Sequence, residues 1–260
     1  NKPFSCLITE YTPDLEFIGK SQCFPLYWYE ENKNQQGTLF DIGSEDKFIR
    51  RDGISDWILK EVRSRFGNTK SLTKEHIFYY VYGLLHSEQY RSKFAAELKK
   101  SLPRIPIVER AEDFMSFYKA GKELADLHLN YEEVPACPEV VVNGDNPLGD
   151  QYAFYSVQKM RFPAKGQKDT IIYNEHIRIT NIPAKAYEYV VNGKSAIEWI
   201  MERYQVTVDD GKNGSMIKND PNDWSREHSK PRYILDLLLS VINVSVKTVD
   251  IINGLPQINI

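Results

Sequence analysis

Residues 76–107 read HIFYYVYGLLHSEQYRSKFAAELKKSLPRIPI, and the spacing inside this stretch decides the fold class. Ile77, Tyr80, Val81, Leu84 and Leu85 recur at the intervals of one helix face. Thr73 stands where an N-cap belongs, and Ser87 can cap a second helix that presents Tyr90, Phe94 and Leu98. Pro103 forbids continuation of that helix, because proline lacks the amide proton and its ring clashes with the preceding turn. Two tyrosine-bearing helices, a lysine tail and the stop Pro-Arg-Ile-Pro predict a rigid platform with a fixed chain exit.

The period changes on both sides of this platform. Upstream, Ile58, Val62 and Phe66 recur every fourth residue behind Ser55, with Asp56 in the first turn and Gly67 at the end, which predicts a helix. Earlier still, SCLITE (5–10), LEFIG (15–19) and CFPLYWYE (23–30) are β-branched or aromatic runs between turn signals and are expected as strands. Downstream, a longer helix is predicted from about 111 to 129, with Phe114, Phe117, Tyr118, Leu124 and Leu127 inward. After the Pro/Gly/Asn-rich stretch 135–150, strands are expected again in QYAFYSVQKMRF (151–162), DTIIYN (169–174) and HIRITNIP (176–183). Ser195-Ala-Ile-Glu198 is a capping box that opens a helix, 209–224 is a polar loop, Pro231 starts a leucine-rich helix, and Asn253-Gly254 closes the last.

Strands, helices, strands and helices without regular βαβ alternation imply an α+β fold, with a helix-rich platform and a β-rich lobe built on antiparallel or mixed sheet. The expected organisation is a β-rich segment 1–43 that joins the C-terminal lobe, a helical platform 44–135 and an α+β lobe 136–260.

Composition narrows the function. The 260 residues carry a formal net charge of −3, which argues against an all-over basic nucleic-acid binder. The distribution says more: residues 151–232 hold 13 Lys/Arg against 10 Asp/Glu, and residues 47–74 hold eight basic side chains against three acidic. Local positive patches on a mildly acidic body suit contact with phosphate on one face; a solvated helix face would look the same. Cys6, Cys23 and Cys137 are odd in number and lack C-x-x-C spacing, so free thiols in a reducing, cytoplasmic setting are expected. No apolar run reaches the roughly 18–20 residues of a membrane span. The chain opens Asn-Lys-Pro without an initiator methionine and is expected to be part of something longer.

Catalytic signatures are scarce. Neither a G-x-x-x-x-G-K-[ST] nor a G-x-G-x-x-G loop occurs, and the five histidines are scattered. Asp14, Glu16 and Lys20 approach a metal-nuclease pattern but miss its Glu-x-Lys spacing. Asn219-Asp220-Pro221-Asn222-Asp223-Trp224 approaches the amine-holding loop of amino-methyltransferases without its second proline, and a loop rich in Asx turns explains it better. Asp209-Asp210-Gly211-Lys212-Asn213-Gly214 lacks the distant glutamate of a calcium loop. With no nucleophile signature either, no catalytic residue, metal ligand or cofactor is expected on this chain.

Binding candidates remain. Gln158, Lys159, Arg161, Lys165, Lys168, Asn174 and Arg178 lie with Phe162, Tyr173 and His176 on predicted strands and on the loop FPAKGQKD (162–169). Arginine reads guanine edges, asparagine and glutamine read adenine edges, and lysines anchor phosphates. A solvated hairpin would have a similar composition.

The stretch 78–107, followed by FYKAGKELADLHLNYE (117–132), closely resembles the C-terminal specificity region of type ISP restriction–modification enzymes. Further matches are QCFPLYWYE (22–30), YNEHIRITNIP (173–183), AYEYVVNGKSAIEWIMERYQV (186–206), NDPNDW (219–224) and PRYILDLLLSVINVSVKTVDIINGLP (231–256), which together span nearly the whole chain. The resemblance implies that nuclease, helicase-like and adenine methyltransferase modules precede this chain in one polypeptide. Those modules would use S-adenosylmethionine, ATP and Mg²⁺, while this chain would recognise duplex DNA. Arg104, beside Lys99 and Lys100, is then a further candidate for the DNA backbone. Two other readings stay open: a scaffold that docks the neighbouring modules, and a metal-dependent nuclease.

Overall fold

The computed structural model describes residues 3–14, 22–32, 47–67, 70–210 and 216–258. The strand expected at 15–19, Glu16 and Lys20 of the nuclease pattern, and Gly211 to Gly214 of the acidic loop lie outside the described residues. The chain divides into two compact units, one of Thr9–Ala125 with Leu255–Ile260 and one of Asn1–Ile8 with Asp126–Gly254.

In the first unit β1 (Tyr27–Glu31) pairs antiparallel with β2 (Phe48–Asp52). Helix α1 (Asp56–Arg65) begins where the Ser55 hydroxyl accepts the Ile58 amide, and Gly67 follows its end with φ 77°. Helix α2 (Lys74–His86) carries a capping box in which His76 replaces the usual glutamate: Thr73 accepts the His76 amide, and the imidazole accepts the Thr73 amide. Ser87 caps α3 (Glu88–Lys93), which ends before Leu98. Only isolated helical hydrogen bonds, such as Leu98 N–H to the Phe94 carbonyl at 3.0 Å, continue the coil towards Pro103. Helix α4 (Ala111–Leu129) follows, and the boundary between the units crosses it at Asp126.

The tyrosines of the opening stretch hold the proline segment. The Tyr80 hydroxyl donates to the Pro106 carbonyl at 2.7 Å and accepts the Val108 amide at 3.2 Å. The Tyr90 hydroxyl donates to the Arg104 carbonyl at 2.8 Å. An extended chain rich in proline has no helical partners for its carbonyls, so buried phenols supply the donors. Beneath them Tyr80 stacks on Phe114 at 4.4 Å between ring centroids.

In the second unit β3 (Val141–Asn143), α5 (Gln151–Tyr155), β4 (Ile171–Ile172) and β5 (Arg178–Thr180) follow one another. The strands form an antiparallel sheet in the order β3-β5-β4. Then come the hairpin β6 (Val190–Val191) and β7 (Lys194–Ser195), helix α6 (Ala196–Arg203) behind the Ser195–Glu198 capping box, and the hairpin β8 (Thr207–Asp210) and β9 (Met216–Asn219). Helices α7 (Asn222–Glu227) and α8 (Tyr233–Asn253) complete the unit. One hydrophobic core joins Ile171, Ile179, Ile197, Leu235, Leu238 and Ile242, so the sheet closes over α8. Helix α8 is buried almost all round, and its polar side chains are satisfied: Asn243 donates to the Pro135 carbonyl at 2.7 Å, and Ser240 donates to the Tyr131 carbonyl. Among the described residues no helix is long and apolar enough to cross a membrane.

The fold is α+β, and all its ladders are antiparallel among the described residues. Two expected strands are corrected. Residues 5–10 form no ladder; the Ser5 hydroxyl instead accepts the Asn192 amide at 2.7 Å. The start of 151–162 is the helical turn α5, because the Asp150 carboxylate accepts the Tyr152 amide at 2.9 Å and caps it.

Candidate nucleic-acid interface

The sheet of the second unit places two of the predicted residues, Arg161 and Arg178, in one row. Arg161 forms an isolated antiparallel bridge with Ile172, donating to its carbonyl at 3.1 Å and accepting its amide at 2.8 Å. Ile172 is opposite Arg178, and Arg178 is opposite Asn143. Directly opposed residues of a ladder project to one face, so Arg161, Ile172, Arg178 and Asn143 share the outer face. The alternating residues Ile171 and Ile179, each 0% exposed, turn inward. Arg161 and Arg178 therefore stand two strand spacings apart, about 10 Å.

The loop between Arg161 and β4 carries the lysines. The Gln167 amide closes a turn onto the Ala164 carbonyl at 3.1 Å, and Gly166 occupies its third position with φ 86°, a conformation that favours glycine. Lys165 is exposed at the tip. Lys168 folds back: its ammonium meets Glu198 at 2.8 Å and lies 5.1 Å from the centre of the Tyr187 ring. Partial burial opposes ionisation of Glu198, yet the hydrogen bonds from Lys168 and Ser195 hold it below the usual carboxylate range.

Two asparagines fix this scaffold from beneath. Asn174 donates from Nδ2 to the Phe154 and Ser156 carbonyls at 2.8 and 3.1 Å, while its Oδ1 accepts the His176 and Ile177 amides at 2.9 and 2.8 Å. Its amide is fully engaged with backbone and positions the β4–β5 turn. Asn222, from the Asn219–Trp224 segment, brackets Val157, accepting its amide and donating to its carbonyl, both at 2.9 Å. The loop expected over 209–224 is corrected here: an Asx turn, in which the Asp220 carboxylate accepts the Asn222 amide at 3.1 Å, joins the end of β9 directly to α7. Gln158 and Lys159 follow immediately and are exposed.

Ion pairs engage many of the unit's other cations, while Arg203 and Lys230 lie over the rings of Trp199 and Trp224. Lys185 pairs with Asp250, Lys194 with Glu202, Lys218 with Asp220, Arg226 with Asp223, and Arg232 with both Asp145 and Asp236. Lys159, Arg161, Lys165 and Arg178 have no carboxylate partner among the described residues, and all four are exposed. A cation left unpaired beside others of its sign gains most from an external polyanion. Arg104 is exposed too but belongs to the first unit, in the segment held by Tyr90.

Sequence reasoning missed Asn143 and its neighbour Thr180. Their signal was the β-branched run Val140-Val141-Val142 ahead of Asn143-Gly144, a strand closed by a turn pair within a stretch read as loop.

An α+β chain whose small sheet carries Arg161 and Arg178 on its outer face, neither in an ion pair among the described residues, has the build of a nucleic-acid reader. Over residues 1–237 the chain matches the family described as Type ISP C-terminal specificity domain, and it belongs to that family. Solved structures agree. The ATP-dependent Type ISP restriction-modification enzyme LlaBIII bound to DNA matches all of this chain with 44% identity and a TM-score of 0.81. A nuclease-deletion mutant of the Type ISP enzyme LlaGI, in complex with a DNA substrate mimic, matches all of it with 41% identity and a TM-score of 0.74. The DrdV–DNA complex matches all of it with 30% identity and a TM-score of 0.75. The chain spans 15%, 20% and 24% of those three chains respectively. No curated protein matches it significantly.

Proposed function

We propose that this chain recognises duplex DNA in a sequence-specific manner, as the target recognition region of a multifunctional restriction–modification polypeptide, and performs no covalent step itself. The observation that carries this reading is the group Lys159, Arg161, Lys165 and Arg178, all exposed and none in an ion pair among the described residues. The lysines neutralise phosphates and fix the register, and the arginines reach base edges in the major groove. Lys168, Asn174 and Asn222 hold the frame. Arg104 and Gln158 complete the set of proposed contacts. Nuclease, helicase and adenine methyltransferase modules elsewhere in a cytoplasmic polypeptide supply the chemistry with Mg²⁺, ATP and S-adenosylmethionine.

Equilibrium binding of the full chain to duplex DNA at low salt tests the reading. Replacing Lys159, Arg161 and Lys165 together with glutamine is expected to weaken binding by about tenfold or more. Unchanged affinity would leave the scaffold reading. A scaffolding role has its own support in the first unit, where Tyr29, Phe48 and Trp57 are 63%, 51% and 68% exposed. A nuclease would instead show Mg²⁺-dependent cleavage lost in Asp14→Ala.

A further inference from the structure

Asn143 ends β3 on the outer face of the sheet, one strand beyond Arg178, and its amide is oriented rather than free to spin. Nδ2 donates to the Thr180 hydroxyl at 2.9 Å. That hydroxyl in turn donates to the Val141 carbonyl at 3.4 Å, so its oxygen is left as the acceptor. The chain of two hydrogen bonds assigns nitrogen and oxygen of the amide. It leaves one N–H and Oδ1 without a partner among the described residues, in an exposed residue.

One donor beside one acceptor on a planar amide is the complement of adenine in the major groove, where N7 accepts and N6 donates. Bidentate contact with adenine N6 and N7 is the pairing that asparagine and glutamine amides make most readily there. Backbone geometry holds the device in place. Gly144, immediately after, has φ 82°, and a Cβ there would lie 2.1 Å from the His176 carbonyl oxygen, so the strand end is pressed against the β4–β5 turn. Asn174, with both ends of its amide bound to backbone, cannot present this pattern.

Arg178 is the ladder partner of Asn143, and partners across a ladder have backbones about 5 Å apart. Bases rise about 3.4 Å per step, so side chains of this length converge on neighbouring pairs. Arg178 forms no ion pair among the described residues, and its guanidinium is matched to the O6 and N7 acceptors of guanine. We infer that Asn143 and Arg178 form a composite reader of two adjacent base pairs, Asn143 selecting adenine and Arg178 selecting guanine. The inference rests on the DNA-recognition reading above and names the bases that this face selects.

The test is selection of the full chain on a randomised duplex library, followed by binding to the enriched duplex. The wild type is expected to enrich a site in which an A·T pair adjoins a G·C pair. Asn143→Ala should lose preference at that adenine alone, by about ten- to a hundredfold, and Arg178→Ala at that guanine alone. Thr180→Val, which leaves Asn143 in place but removes its hydroxyl partner, should weaken the adenine preference with the guanine preference intact. Near-ultraviolet circular dichroism identical to wild type confirms that each variant is folded. If the wild type enriches a site but Asn143→Ala selects it unchanged, the inference falls and the recognition reading stands. Relaxation at two positions that are not adjacent, or at bases other than adenine and guanine, also overturns it. If no sequence is enriched and no duplex is bound, both fall together.

Discussion

Asn143, Asn174 and Asn222 carry the same amide into two different roles, decided by the hydrogen-bond partners of each. Asn174 and Asn222 are bound to backbone and shape the frame, whereas Asn143 keeps a donor and an acceptor for a partner. Residue identity alone does not separate these cases, which is why Asn174 was the one singled out from the sequence. His128 is a similar instance. Its Nε2 lies 2.8 Å from the Thr248 hydroxyl, its ring stacks on Tyr189 at 5.1 Å, and burial pushes its pKa down to about 4. An unfolded histidine titrates near 6.5, so on acidification the unfolded chain takes up a proton that the folded one resists. The neutral imidazole's contribution is therefore intact above pH 6.5 and is lost as pH falls towards about 4, by about 2 kcal/mol at pH 5. Urea midpoints at pH 7 and pH 5 should show His128→Gln losing less stability on acidification than the wild type. Equal losses would mean that another group controls the slope.

Elements were more legible than residues, because caps are local chemistry. Ser55, Thr73, Ser87 and Ser195 each accept the amide that their position predicts, and the helices they open have nearly the expected bounds, except α3, which stops at Lys93 short of Leu98. The failures came where the deciding partner is distant in sequence or was hidden in a loop. Asp150 caps α5 from within a stretch read as irregular, and residues 5–10 have β-forming composition but no strand to pair with. The crossing of α2 and α4 was also invisible, since a glycine inside a helix lowers confidence in the helix without saying what approaches it. A Cβ on Gly121 would lie 1.8 Å from the Tyr79 carbonyl oxygen, and one on Gly83 would lie 2.3 Å from the Phe117 oxygen. Both contacts are to backbone, which cannot step aside as a side-chain end can. Gly121→Ala should therefore cost about 1–3 kcal/mol despite alanine's better helix propensity. A calorimetric Tm lowered by several degrees is the expected reading, and an unchanged or raised Tm would show that the helices can part without cost.

For the whole molecule, charge is the property that sequence and structure divide most cleanly between them. The excess of basic residues in 151–232 is plain from the sequence, against a net charge of −3 for the chain. Which of those cations are already neutralised is not, because the partners come from far along the chain: Lys168 finds Glu198, Lys185 finds Asp250, and Arg232 finds Asp145. Beyond the ion pairs, Lys159, Arg161, Lys165 and Arg178 remain exposed on a chain of net negative charge, and this predicts how binding responds to salt. Phosphate contacts release condensed counterions, so the logarithm of the binding constant should fall with the logarithm of salt by about 0.9 per phosphate neutralised. Lys165, exposed at the turn and in no ion pair among the described residues, is placed to make one such contact, whereas Arg178 faces outward from the middle of the sheet row. Lys165→Gln should weaken binding to all duplexes alike and flatten the salt slope by about one. Arg178→Gln should change which duplex is preferred while leaving the slope within a few tenths of wild type. If the two variants exchanged these behaviours, the loop would be the reading element and the sheet face its anchor. If neither changed the slope, the affinity would come from a different surface.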